Sequence, residues 1–173
     1  MPRIHVCSLS RIADTATETA ASHLVSLVNE GTEVVRPASI AAERHLFLGI
    51  ADIIEPIDGM VTPTEAHVQH LLDFVETWDR QQPLLIHCFA GISRSTAAAF
   101  ISLCAVEPTR SEIEVAARLR AASPFATPNG LLILHADRLL NRKGRMVAAI
   151  GSIGRGEMAY EGNPFHLGLG GKD

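Results

Sequence analysis

The chain is short of sulfur, of aromatic rings and of long apolar runs. Three cysteines in 173 residues are an odd number at no metal-like spacing, so neither a disulfide framework nor a metal site is expected. Reduced thiols in a cytosol are the simplest expectation, and nothing in the sequence supports a disulfide from Cys88 to Cys7 or Cys104. Aromatic residues make up only 5%. With no basic run beside them, they leave no footprint for a nucleic acid. The most apolar stretches, Leu84–Ile86 and Leu131–Leu134, are broken by His87, His135 and Asp137, so membrane insertion is not expected. Met1-Pro2-Arg3-Ile4-His5 has neither the apolar region nor the cleavage site of a secretory signal. Neither glycine-rich nucleotide fingerprint occurs, so no nucleotide cofactor is expected.

What is present is globular. Apolar residues reach 47%, charged residues 20%, and mean hydropathy is +0.18. This length suits one domain, able to bury a core without a metal or disulfide staple. The net charge of −4 is uneven: residues 1–79 carry −8 and residues 80–173 carry +4. That asymmetry reads either as solvated faces of different sign or as a C-terminal half that meets an anion.

Apolar patterning places strands at Ile4–Leu9, His23–Val28 and His45–Ile50, with a short helix over 11–20 between the first two. Thr62-Pro63-Thr64-Glu65 reads as a capping box opening a helix whose inner face is Val68, Leu71, Leu72, Val75 and Trp78. Pro83–His87 reads as a central strand buried on both faces, and residues 95–106 as a helix apolar nearly all round. Thr109-Arg110-Ser111-Glu112 reads as a second capping box, with a helix to about Ala122. Asn129 caps another helix, and Met146–Ile153 forms a last turn or two. Strands alternating with helices predict a single α/β domain: a mostly parallel sheet of four or five strands with helices on both faces. The domain is expected over residues 1–150, and the glycine-rich stretch 151–173 as a loosely ordered tail. Ligands of such sheets bind beyond the carboxyl ends of the strands, which directs attention to the loop after His87.

That loop is His87-Cys88-Phe89-Ala90-Gly91-Ile92-Ser93-Arg94-Ser95. A tight strand-to-helix turn directs successive backbone N–H groups inward at a helix N-terminus, a ready anion nest. Two negative charges suit its centre: the Cys88 sulfur as thiolate, or a phosphate gripped by the planar fork of Arg94. The bland alternative, a buried inert thiol, suits Cys7 and Cys104 better. The histidines, including His67 and His70 on one helix face, complete no metal set, and the basic residues of the C-terminal half read as a solvated face.

The pattern H-C-x5-R-S resembles the signature of the cysteine-dependent protein tyrosine phosphatases, and HCFAGISRS is most similar to their dual-specificity branch. The resemblance covers residues 1 to about 142 and includes Pro128-Asn129 before the last family helix. It implies that Cys88 is the nucleophile and that Arg94, with the backbone of Phe89, Ala90, Gly91, Ile92 and Ser93, holds the phosphoryl oxygens. It implies that Ser95 bonds the thiolate and eases breakdown of the intermediate, that His87 orients the loop and helps lower the thiol pKa without acting as the base, and that no metal is needed. It also implies a general acid on the loop upstream. Asp52, directly after the third strand, is the first candidate; Asp58 and Glu55 are the alternatives, since the stretch from Asp52 to Thr62 is longer than the branch's usual loop. The expected activity is hydrolysis of phosphotyrosine, with phosphoserine and phosphothreonine as further substrates, on a phosphorylated protein or small phosphomonoester. An inositol phosphate phosphatase ranks lower because positions 89, 90, 92 and 93 carry no charge. An inactive phosphate-binding module would lack the Cys, Arg or acid, and a rhodanese-like sulfur carrier would lack Arg94-Ser95.

Overall fold

The structure, a computed structural model, describes residues 2–171. Met1, at one end of the expected domain, and Lys172 and Asp173, at the end of the expected tail, lie outside the described residues. Five strands, β1 (Arg3–Ser8), β2 (His23–Val28), β3 (His45–Gly49), β4 (Leu84–Cys88) and β5 (Phe165–Gly168), form one sheet in the order β3-β2-β4-β1-β5. The first four are parallel; β5 runs antiparallel on β1, pairing Arg3 with Gly168 and Val6 with Phe165. Helix α1 (Ile12–Thr19) covers one face. On the other lie α2 (Glu65–Thr77), α3 (Arg94–Val106), α4 (Glu112–Ala122), α5 (Gly130–Leu139) and α6 (Arg145–Ile153). This is the expected α/β architecture.

Strand alternation splits the core in two. Ile4, Val6, Val25, Leu27, Leu84 and Ile86 face the large helical layer. Leu24 and Leu85 join Ile12, Ala16 and Ile40 on the thinner α1 face. The centre of the helical layer is α3, whose residues Arg94 to Cys104 are all buried, as its uniformly apolar sequence predicts. Among the described residues no helix is long and apolar enough to cross a membrane.

Three local expectations are corrected. The cap of α2 is Thr64 rather than Thr62, and the box is closed by His67, whose Nδ1 lies 3.1 Å from the Thr64 amide, rather than by Glu65. Pro63 stays outside because His135 Nε2 of α5 takes its carbonyl. The cap of α4 is Ser111 rather than Thr109; Arg110 closes a turn onto the Glu107 carbonyl and pairs its side chain with Glu107 and Glu114. Finally, the glycine-rich stretch does not hang free over its described length. Residues 154–164 cross the carboxyl edge of the sheet, and β5 then protects the edge of β1. Glycine permits this route: a Cβ at Gly156 would sit 2.5 Å from the Phe125 backbone.

Candidate active site

Cys88 ends β4 and Arg94 opens α3, so the intervening turn lies at the carboxyl edge of the sheet. Gly91 is required there twice over. Its φ is +73°, a region that L side chains resist. A Cβ would also lie 3.0 Å from backbone atoms of Cys7 and Ser8 at the end of β1.

The carbonyls of the turn are tied outward, one by one, to different elements. His87 Nδ1 lies 3.1 Å from the Cys88 carbonyl. The Leu9 amide donates to Phe89 O, Gly162 N–H to Ala90 O, Thr127 N–H to Ile92 O, and Ala97 N–H to Ser93 O. Every peptide here is trans, so each N–H points opposite to its carbonyl. The amides of Phe89, Ala90, Gly91, Ser93 and Arg94 therefore turn to the inside of the cradle. At its floor sits the buried Cys88 sulfur, 3.3 Å from the donating Gly91 amide and 3.1 Å from Ser95 Oγ.

Arg94 is buried to 6% exposure. Its Nη1 donates to Asn29 Oδ1 at 2.8 Å and to the Ile50 carbonyl at 2.7 Å. The buried Nε has no protein partner among the described residues. One edge of the fork is thus spent on orientation while a donor on another side stays available to an anion.

His87 belongs to a buried polar row on the α1 face. Its Nε2 is 2.6 Å from Ser26 Oγ, which is 2.8 Å from His45 Nε2. Ser26 and His87 are both fully buried. Burial pushes the His87 pKa down to about 4, so the ring is neutral at pH 7 and brings no charge to the sulfur. The directions follow: Nδ1–H donates to the Cys88 carbonyl, Nε2 accepts from the Ser26 hydroxyl, and Ser26 accepts from His45. Cys7 and Cys104 are pushed up to about 12 by burial and stay inert thiols.

The three upstream carboxylates separate clearly. Asp52 Oδ1 accepts from Ser93 Oγ at 2.7 Å and from Asn129 Nδ2 at 2.9 Å, which ties it to the signature turn. Asn129 also caps α5 as its position suggests, Oδ1 accepting from the amides of Leu131 and Leu132. Glu55 lines a cavity of about 620 Å³ beside Asp52. Asp58 stands in the turn before Gly59. Among the described residues neither bonds the signature turn. Sequence reasoning missed Asn29, Ser26, His45 and Gly162. The one available signal was position: Asn29 directly follows β2 at the ligand edge of the sheet. Among the described residues no cluster of three or more His, Cys, Asp or Glu could hold a metal.

A cysteine under converging amides at a strand-to-helix turn that also carries a buried arginine is a layout able to hold an oxyanion. Residues 56–122 match the family model described as protein-tyrosine phosphatase. Among solved structures, DUSP15 superposes with a TM-score of 0.63 at 19% identity, over 87% of this chain and 89% of that one. Human DUSP28 gives 0.63 at 15% identity, over 81% and 92%. PTPMT1 in complex with PI(5)P gives 0.58 at 16% identity, over 84% and 92%. These likenesses establish the fold. No curated protein sequence matches the chain. Residues 56–122 are similar to the protein-tyrosine phosphatases, and the whole chain has the fold of the dual-specificity phosphatase structures.

Proposed function

We propose that this protein hydrolyses phosphotyrosine, and with it phosphoserine and phosphothreonine, on a phosphorylated protein or small phosphomonoester. The observation that carries the reading is the convergence on one sulfur: the Gly91 amide and the Ser95 hydroxyl meet at Cys88 Sγ, while the same turn carries the buried Arg94, whose Nε has no protein partner among the described residues.

The chemistry follows from the positions. The Cys88 thiolate attacks phosphorus, forming an S–P bond as the P–O bond to the leaving group breaks. The inward amides and the Arg94 fork hold the three equatorial oxygens, whose charge they meet in the in-line transition state. Asp52, held by Ser93 and Asn129, gives its proton to the departing oxygen. As a carboxylate it then takes a proton from the water that attacks the cysteinyl phosphate. The S–P electrons return to Cys88, and Ser95 Oγ donates to the emerging thiolate. His87 acts through the Cys88 carbonyl, which it holds outward, and is not a base. No step requires a metal.

The likeness to a structure holding PI(5)P makes inositol phosphates the competing substrate class. The uncharged side chains at 89, 90, 92 and 93 offer such substrates no extra countercharge. Purified protein is expected to release p-nitrophenol from p-nitrophenyl phosphate at mildly acidic pH, and Cys88→Ser to abolish it. Turnover that survives Cys88→Ser defeats the mechanism. Tight phosphopeptide binding without turnover by the wild type would mark an inactive binding module.

A further inference from the structure

The cavity of about 620 Å³ adjoins the site without containing Cys88 or Arg94. Its edge is Asp52 and Ser93, the pair joined by the 2.7 Å hydrogen bond. One wall is the long loop after Asp52, presenting Ile53, Ile54, Pro56 and Ile57; Pro128 stands opposite. Ile54 and Ile57 are 63% and 49% exposed and line the same cavity. Glu55 adds a carboxylate, and no lysine or arginine lines this cavity.

The position of the acid gives the cavity its meaning. Asp52 protonates the oxygen that leaves, so the leaving group must lie on the Asp52 side of phosphorus. Two cavities meet the Asp52–Ser93 edge on that side, this one and a smaller one of about 250 Å³ lined by Arg155, Glu157 and Met158; the larger is the one with room for a side chain adjoining the leaving group. Its walls combine Ile53, Ile54, Pro56, Ile57 and Pro128 with the uncharged polar Thr127 and Asn129, and its only formal charges, Asp52 and Glu55, are negative. A second phosphate or an acidic side chain placed in this cavity would be desolvated against isoleucine and proline with no cation in its lining to meet it. An aliphatic side chain would bury apolar area instead. An inositol phosphate carries hydroxyls and further phosphates where this surface is greasy; a peptide carries whichever residue adjoins its phosphotyrosine.

We infer that the loop over residues 53–57 forms a leaving-group subsite for a phosphotyrosyl peptide with an aliphatic residue adjoining the phosphotyrosine, and that it rejects acidic neighbours. This rests on the proposed phosphatase reading, which it deepens by naming the substrate's flank.

The test compares two phosphotyrosyl peptides that differ only in carrying Leu or Glu beside the phosphotyrosine. The wild type is expected to favour the Leu peptide in kcat/KM by about 10-fold or more, the discrimination an apolar pocket supplies. The exposed double variant Ile54→Ser/Ile57→Ser is expected to bring that ratio close to one. Calorimetric titration of both peptides into Cys88→Ser reads the same preference without turnover. A Glu peptide that binds or reacts as well as the Leu peptide overturns the inference, as does a ratio that the double variant leaves unchanged. Turnover of an inositol polyphosphate at the rate of the Leu peptide also overturns it. If Cys88→Ser prefers the Leu peptide while the wild type hydrolyses neither, the subsite stands and the hydrolytic reading falls.

Discussion

Replacing Gly91 by alanine tests the cradle at its tightest point, and Gly144→Ala supplies the control. Both glycines have φ well above zero, +73° and +85°. At Gly144, the N-cap of α6 and remote from the signature turn, a Cβ meets nothing within 4 Å. That substitution costs only the left-handed penalty, about 1–2 kcal/mol. At Gly91 the new methyl meets the carbonyl carbon of Cys7 and the amide of Ser8 at 3.0 Å. These are backbone atoms of a central strand and cannot swing aside, so overpacking adds about 1–3 kcal/mol. In a chain of this size each kcal/mol moves Tm by about 2–4 °C. Calorimetry should show Gly144→Ala lowering Tm by about 2–8 °C and Gly91→Ala by about 4–20 °C. The same displacement shifts the Gly91 amide away from the sulfur it contacts at 3.3 Å. Turnover of p-nitrophenyl phosphate should then fall at least about 10-fold in Gly91→Ala. Equal Tm losses in the two variants, with full turnover in Gly91→Ala, would refute the reasoning.

Asp52→Asn should slow turnover of an ester with a poor leaving group by about 10²–10⁴, while Asp58→Asn leaves it unaltered; the reverse result moves the acid to Asp58. His87 is held neutral by burial, with its pKa lowered to about 4 from 6.5. Its contribution to stability is therefore full above pH 6.5 and is lost as pH falls through 4, on the order of 3 kcal/mol. Urea midpoints across that range should show the loss, and His87→Gln should remove that part of the slope. Ser26→Ala leaves His87 Nε2 buried without a donor and should cost about 1–3 kcal/mol by urea denaturation; no loss would mean the row is dispensable. With Cys7 and Cys104 pushed up to about 12, iodoacetamide at pH 7 should label a single thiol, identified by mass spectrometry as Cys88.

The residues of the signature turn were readable because their relation is local. Cys88, Gly91, Arg94 and Ser95 stand at offsets that one strand-to-helix turn converts directly into a cradle. Asp52 was readable as the residue directly after a strand that had to end at the ligand edge. The caps were read less well. A proline and a glutamate made Thr62 look like a start, whereas α5 holds Pro63 through His135, and a histidine closes the box as well as a glutamate does. In the tail, glycine reads in sequence as conformational freedom, whereas in the fold it allows close approach, at Gly156 against Phe125 and at Gly162, whose Cβ would lie 3.1 Å from Gly91 O.

The amino-acid order by itself determined the α/β layering, the nucleophile and the anion nest, because periodicity and short-range spacing decide those. Tertiary structure decided which distant groups discipline them. Asn29 steers Arg94, Asn129 tethers Asp52, Ser26 fixes the tautomer of His87, and Gly162 pins Ala90. These partners lie 61 to 77 positions apart in the chain and meet only because the folded sheet brings them together, and hydrogen-bond direction at such separations depends on packing, which no local pattern encodes.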